Sequence, residues 1–117
     1  MAFILNFVKC EICIFENQKQ LQKLFDCGTD VPTLKTVILI DSPTDDEIKK
    51  QAKAREIKIW KYIDLEDKGR HASEKERKAV EAEMDKTGAD ETATIIFTSG
   101  TTGTPKGVML KIGRAHV

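Results

Sequence analysis

An α/β fold is predicted by three features of the chain. Strand-like apolar runs alternate with amphipathic helical segments through the first half, helix-capping signatures stand at the junctions, and a strand, a glycine- and hydroxyl-rich loop and a second strand close the sequence. Lys9 to Phe15 alternates in polarity with β-branched and aromatic content, the pattern of a short strand. From Asn17, Leu21, Leu24 and Phe25 recur at helical spacing, and Gly28 stands where a helix C-cap is expected. Val31-Pro32-Thr33 breaks regularity, and Lys35 to Asp41 then forms a nearly continuous apolar run of the kind found in buried parallel strands. Ser42-Pro43 closes that strand. Thr44 and Glu47 have the spacing of a capping box, which predicts a helix to about Ala54. Ile57 to Trp60 reads as a third strand, with Tyr62 and Leu65 leading towards a turn at Gly69. A second capping box, Ser73 to Glu76, opens a mostly solvated helix through Met84, and Ala93 to Phe97 reads as a buried strand.

Composition excludes several classes of function. Lys plus Arg and Asp plus Glu each number 19 among 117 residues, and a formally neutral chain has no electrostatic basis for general nucleic-acid binding. The apolar fraction of 40% lies above the disordered range. Met1 to Val8, the longest apolar stretch, is far short of the roughly 20 residues that cross a bilayer, and it lacks the flanks of a secretory signal. A cytoplasmic setting is expected. The three cysteines, Cys10, Cys13 and Cys27, agree with reduced, half-buried thiols. Cys10 and Cys13 have C-x-x-C spacing, yet no second pair follows, and both His71 and His116 are distant in sequence. Between Ser42 and Glu91 the 14 acidic and 12 basic residues are mixed, as on a solvated surface.

From Thr92 onward there is no acidic residue. Thr98-Ser99-Gly100-Thr101-Thr102-Gly103-Thr104-Pro105-Lys106-Gly107 follows the strand and leads into the apolar Val108-Met109-Leu110. Its three glycines let backbone N–H groups approach a ligand, its four threonines and one serine supply hydroxyls, and Lys106 supplies charge. These are the groups that hold phosphate. The Walker A loop fails here, because Pro105 precedes the lysine, Gly107 follows it, and a strand-like run stands where a helix is needed.

The segment Thr98 to Gly107 resembles the phosphate-loop signature of the adenylate-forming superfamily, which comprises acyl- and aryl-CoA synthetases, peptide-synthetase adenylation domains and luciferases. Phe15 to Leu21, Val31 to Val37 and the strand to Asp41 are similar to the long-chain fatty acyl-CoA synthetase branch. The resemblance implies a fold in which this chain is a partial parallel-sheet layer of the large domain, ending in a strand–phosphate loop–strand hairpin. It also implies a two-step ligase: a carboxylate attacks the α-phosphorus of ATP to give acyl-AMP and pyrophosphate, and coenzyme A then displaces AMP. By position, Thr98 would contact phosphate and help ligate Mg2+, Ser99, Gly100, Thr101, Thr102 and Gly103 would wrap the β- and γ-phosphates, and Lys106 would pair with them. The implied ligands are ATP, Mg2+, coenzyme A and a carboxylic acid, fatty in this branch, and a parent of this branch can work peripherally at a membrane.

The family's adenine motif, second magnesium ligand, ribose aspartate and adenylation lysine cannot be assigned to any residue here, so no catalytic residue is expected in this chain. Residues 1–110 are therefore read as a partial AMP-binding (adenylation) domain, inactive alone. Ile112-Gly113-Arg114-Ala115-His116-Val117 is the peptide encoded by a common sequencing-library adapter, so residues 111–117 are expected to be non-native, and neither Arg114 nor His116 receives a role. Two other readings stand beside the leading one. The chain could belong to an aryl-CoA or amino-acid-activating ligase, or be a non-catalytic nucleotide-binding module, which would fold alone and be stabilised by Mg·ATP.

Overall fold

The computed structural model describes residues 1–41, 43–99 and 105–114. The chain forms two compact units, Met1–His71 and Ala72–Val117. The first contains, in order, α1 (Ala2–Phe7), β1 (Ile12–Phe15), α2 (Gln18–Asp26), β2 (Thr36–Leu39), α3 (Asp46–Ala54), β3 (Lys58–Lys61) and α4 (Tyr62–Arg70). Its sheet has the order β1-β2-β3 with both pairs parallel. In register, Cys13 lies beside Val37 and Val37 beside Ile59. Phe15, Val37 and Leu39 pack with Leu21, Leu24 and Phe25 of α2 and with Ile48 and Ala52 of α3. Both crossover helices therefore cover one face, as right-handed connections running in a single direction require.

The α/β expectation holds, with local corrections. The first strand begins at Ile12 rather than Lys9. Lys9 takes a left-handed φ of 52°, which turns the chain out of α1 and lets the Cys10 amide donate to Leu5 O at 2.8 Å. Residues 35–41 are not buried on both sides. Val37 and Leu39 are fully buried, whereas Ile40, pointing the other way, is 59% exposed, because helices cover only one face. Ser42 lies outside the described residues.

The Thr44 capping box does not form, and Asp45 is the N-cap of α3. Gln18 of α2 takes over instead: its Oε1 accepts from the Asp45 amide at 2.8 Å and its Nε2 donates to Asp45 Oδ2 at 3.1 Å. Glu47 accepts from Gln51 Nε2 one turn on rather than reaching back. The expected turn at Gly69 is absorbed into α4, whose last turn carries Arg70 near Glu66 at 3.7 Å and Lys68 over the Trp60 ring at 5.0 Å.

Helix starts with a side-chain acceptor behave as the sequence indicates. Asn17 Oδ1 accepts from the Lys19 and Gln20 amides, and Gly28, with φ 73°, follows the C-cap of α2. In the second unit, α5 (Glu74–Lys86) has the full capping box, with Ser73 Oγ accepting from the Glu76 amide and the Ser73 amide donating to Glu76 Oε2. No residue of α5 is buried. Antiparallel strands β4 (Thr92–Ser99) and β5 (Pro105–Lys111) follow, then a 3-10 turn over Ile112–Arg114. Among the described residues, no helix is long and apolar enough to cross a membrane.

Candidate functional site

The hairpin carries the candidate phosphate-binding residues. Its strands run further than the sequence indicated: β4 continues through Thr98 and Ser99, and β5 begins at Pro105. Gly107 is therefore a strand residue rather than part of the loop. Its partner is Phe97, and a Cβ added at Gly107 would stand 3.0 Å from Ile95 Cγ2 and 3.4 Å from Phe97 Cζ. The glycine leaves room for the Phe97 ring beside the opposite strand, a cross-strand arrangement that fixes register. Sequence reasoning credited Gly107 with ligand access. The signal for its packing role was the Phe at the last apolar position before the loop.

That register decides the geometry of the site. Thr98 is the direct partner of Lys106, Ile96 of Val108, and Thr94 of Leu110. Directly opposed residues of an antiparallel pair project from the same face with Cβ atoms about 4.5–5.5 Å apart, so Thr98 and Lys106 present a hydroxyl and an ammonium side by side. Both are exposed. In register, Ser99 is the partner of Pro105. Gly100, Thr101, Thr102 and Gly103, named from the sequence as phosphate ligands, lie outside the described residues.

The electrostatics are one-sided. Neither strand contains an acidic residue, and among the described residues Lys106 has no ion pair. Among the described residues, the hairpin's charged contact is at its far end, where Lys111 Nζ lies 4.0 Å from Asp90 Oδ1. An unpaired ammonium beside a hydroxyl, on paired strands that hold both in place, can receive an anionic oxygen without breaking an existing contact. Thr98 would offer a hard cation one neutral oxygen. Magnesium characteristically takes few protein ligands and draws the rest from phosphate and water, so a single hydroxyl fits that role. Among the described residues, no group of three or more His, Cys, Asp or Glu side chains could hold a metal by itself.

Two clefts of the first unit contain no residue of the motif. One, of about 290 Å³, is lined by Phe25, Val31, Leu34 and Arg55, and the other, of about 520 Å³, by Lys49, Lys53, Lys58 and Trp60. Cys13 is held protonated, its thiol pushed up to about 11 by burial first and by neighbouring Cys10 second.

Comparison with known proteins adds the following. The family described as AMP-binding enzyme matches residues 1–117. The chain is 31% identical over 108 residues to the rat long-chain-fatty-acid–CoA ligase ACSBG1, covering 92% of this chain and 14% of that protein. It is 36% identical over 96 residues to fatty acyl-CoA synthetase B of Dictyostelium discoideum, covering 82% and 13% respectively. With rat long-chain-fatty-acid–CoA ligase 5 it shares 38% identity over 112 residues, covering 94% and 15%. The chain thus spans about one-seventh of the length of these relatives. Its fold resembles part of the A-PCP didomain of carboxylic acid reductase from Segniliparus rugosus, solved in complex with AMP. The TM-score is 0.65 at 18% identity, over 98% of this chain and 17% of that one.

Proposed function

The chain belongs to the AMP-binding enzyme family, and from that premise we propose that it is the phosphate-gripping segment of an ATP-dependent acyl-CoA synthetase acting on long-chain fatty carboxylates. One observation carries the reading: the hairpin register that sets Thr98 beside Lys106 on one exposed face, with glycines and threonines making up most of the sequence between them. Relatives whose names specify long-chain fatty acids support the choice of substrate.

In this reading the carboxylate oxygen attacks the α-phosphorus, the bond to the bridging oxygen breaks, and pyrophosphate departs with the additional negative charge. Lys106 pairs with the β- and γ-phosphate oxygens. Thr98 orients its hydroxyl towards the same phosphates and serves as one ligand of the Mg2+ that accompanies them, while Ser99, Gly100, Thr101, Thr102 and Gly103 wrap the chain of phosphates. Charge stabilisation of this kind needs donors fixed before the reaction, which a laddered hairpin provides at little reorganisation cost. Thioester formation with coenzyme A follows on groups supplied elsewhere in the complete enzyme. In this reading the complete enzyme works in the cytoplasm, with any membrane contact peripheral. Residues 111–117 are read as a non-native tail, which sequencing the locus from an independent library tests: recurrence of the same codons overturns that reading.

The functional test is ATP–pyrophosphate exchange by a complete enzyme carrying this segment, with palmitate, benzoate and amino acids as alternative acids. Exchange driven by palmitate is expected. Exchange driven only by an aryl or amino acid overturns the substrate assignment, and no exchange with any acid overturns the activity.

A further inference from the structure

Outside the hairpin, two of the chain's three cysteines flank the junction of α1 and β1. The left-handed turn at Lys9 redirects the chain after α1, and the Cys10 peptide is pinned on both sides. Its amide donates to Leu5 O at 2.8 Å, and its carbonyl accepts from Thr33 Oγ1 at 2.9 Å. The Cys10 thiol donates forward across the bend at Glu11 to Ile12 O at 3.1 Å. That orientation sets the Cys10 sulfur against the Ile12–Cys13 peptide, next to Cys13 on β1. Both thiols are half-buried and pack against the core, whereas Cys27 is exposed and donates to Leu24 O at the end of α2.

We propose that Cys10 and Cys13 are a dithiol site that closes to an intramolecular disulfide under a peroxide oxidant. The Cys10 thiolate attacks one oxygen of hydrogen peroxide, the O–O bond breaks, and hydroxide leaves, giving a sulfenic acid. The Cys13 sulfur then attacks the Cys10 sulfur, the S–O bond breaks, and the departing hydroxide takes the Cys13 proton as water. Over both steps two thiols lose two electrons and two protons, and one peroxide is reduced to two waters. A thiol donor such as glutathione reverses the reaction by exchange. The pinned Cys10 peptide holds its sulfur beside the residue preceding Cys13, so the native chain closes this bridge more readily than a flexible chain does, through a higher effective concentration.

The test uses the full chain, reduced and then treated with hydrogen peroxide, blocked with N-ethylmaleimide and mapped by peptide mass spectrometry. A loss of two hydrogens confined to the peptide holding Cys10 and Cys13, with Cys27 still alkylated, is expected. Bridging through Cys27, or disulfide-linked dimers as the main product, overturns the proposal. Equilibration in glutathione redox buffers supplies a second readout. The oxidation constant should be about tenfold or more higher for the native chain than in urea, and an equal or lower native value overturns the role of the fold. Cys27→Ser should leave bridge formation unchanged. Cys13→Ser should leave a dimedone-reactive sulfenic acid at Cys10, and its absence overturns the order of steps.

Discussion

Replacing Lys106 by alanine separates the phosphate-binding role from a structural one. Lys106 is exposed and unpaired among the described residues, so truncating it should cost the fold no more than about 0.5 kcal/mol, the ordinary range for a surface substitution. If its ammonium holds the departing pyrophosphate, one charge-assisted hydrogen bond is lost. At about 1.5–3 kcal/mol this lowers the exchange rate roughly 13- to 160-fold. Thr98→Ala removes a neutral donor on the same face and should cost about 2- to 13-fold, from about 0.5–1.5 kcal/mol. Because the two side chains are direct cross-strand partners serving one ligand, the double substitution should depart from additivity by about 0.5 kcal/mol or more. Lys50→Ala is the control: it removes the same charge from an exposed position on α3, outside the hairpin. The assay is ATP–pyrophosphate exchange in a complete enzyme carrying this segment. Equal losses for Lys50→Ala and Lys106→Ala, or strict additivity of the Thr98 and Lys106 effects, would refute the one-face reasoning.

Four further outcomes follow from the structure. Leu39→Ala should destabilise the first unit by about 2–5 kcal/mol and Ile40→Ala by about 1 kcal/mol or less, since one side chain is fully buried and the next is 59% exposed; urea unfolding followed by Trp60 fluorescence checks the contrast. Glu56, which ends α3 at a φ of 58°, should accept glycine with a gain of about 0.5–1 kcal/mol, read in the same unfolding experiment. Gly107→Val should push Phe97 and Ile95 aside and cost about 1–3 kcal/mol, visible as faster hydrogen exchange in β4 and β5. The Cys13 thiol is raised from 9.0 to about 11 in the folded chain, so the folded state binds this proton more tightly than the unfolded one. The stability it contributes is complete below pH 9 and lost as pH rises towards 11, and the difference from Cys13→Ser should change only across that window.

Much of this fold can be read from local chemistry. Asn17 and Ser73 cap their helices because their acceptors lie within reach of the next turn's amides, an interaction needing no other part of the chain. Thr44 failed for the opposite reason: Gln18, distant in sequence, grips both the amide and the carboxylate of Asp45 and so fixes the N-cap one residue later, which a local pattern cannot show. The ends of α1 and α3 were equally hidden, because Lys9 and Glu56 occupy left-handed positions where the sequence offers no glycine. At the candidate site, the identities of Thr98 and Lys106 were legible from the motif, but their opposition was not. It depends on the register set where Phe97 packs on Gly107, and a linear reading placed that glycine in the loop.

The hairpin has a practical consequence for anyone handling this polypeptide. Ile95 and Met109 emerge on one side of the ribbon and Ile96 and Val108 on the other, all substantially exposed. A two-stranded ribbon with oily surfaces back and front has no side suited to water. Expressed by itself, the stretch from Ala72 onward should stick to itself or to detergent, and a soluble preparation will need material that sandwiches it from both directions.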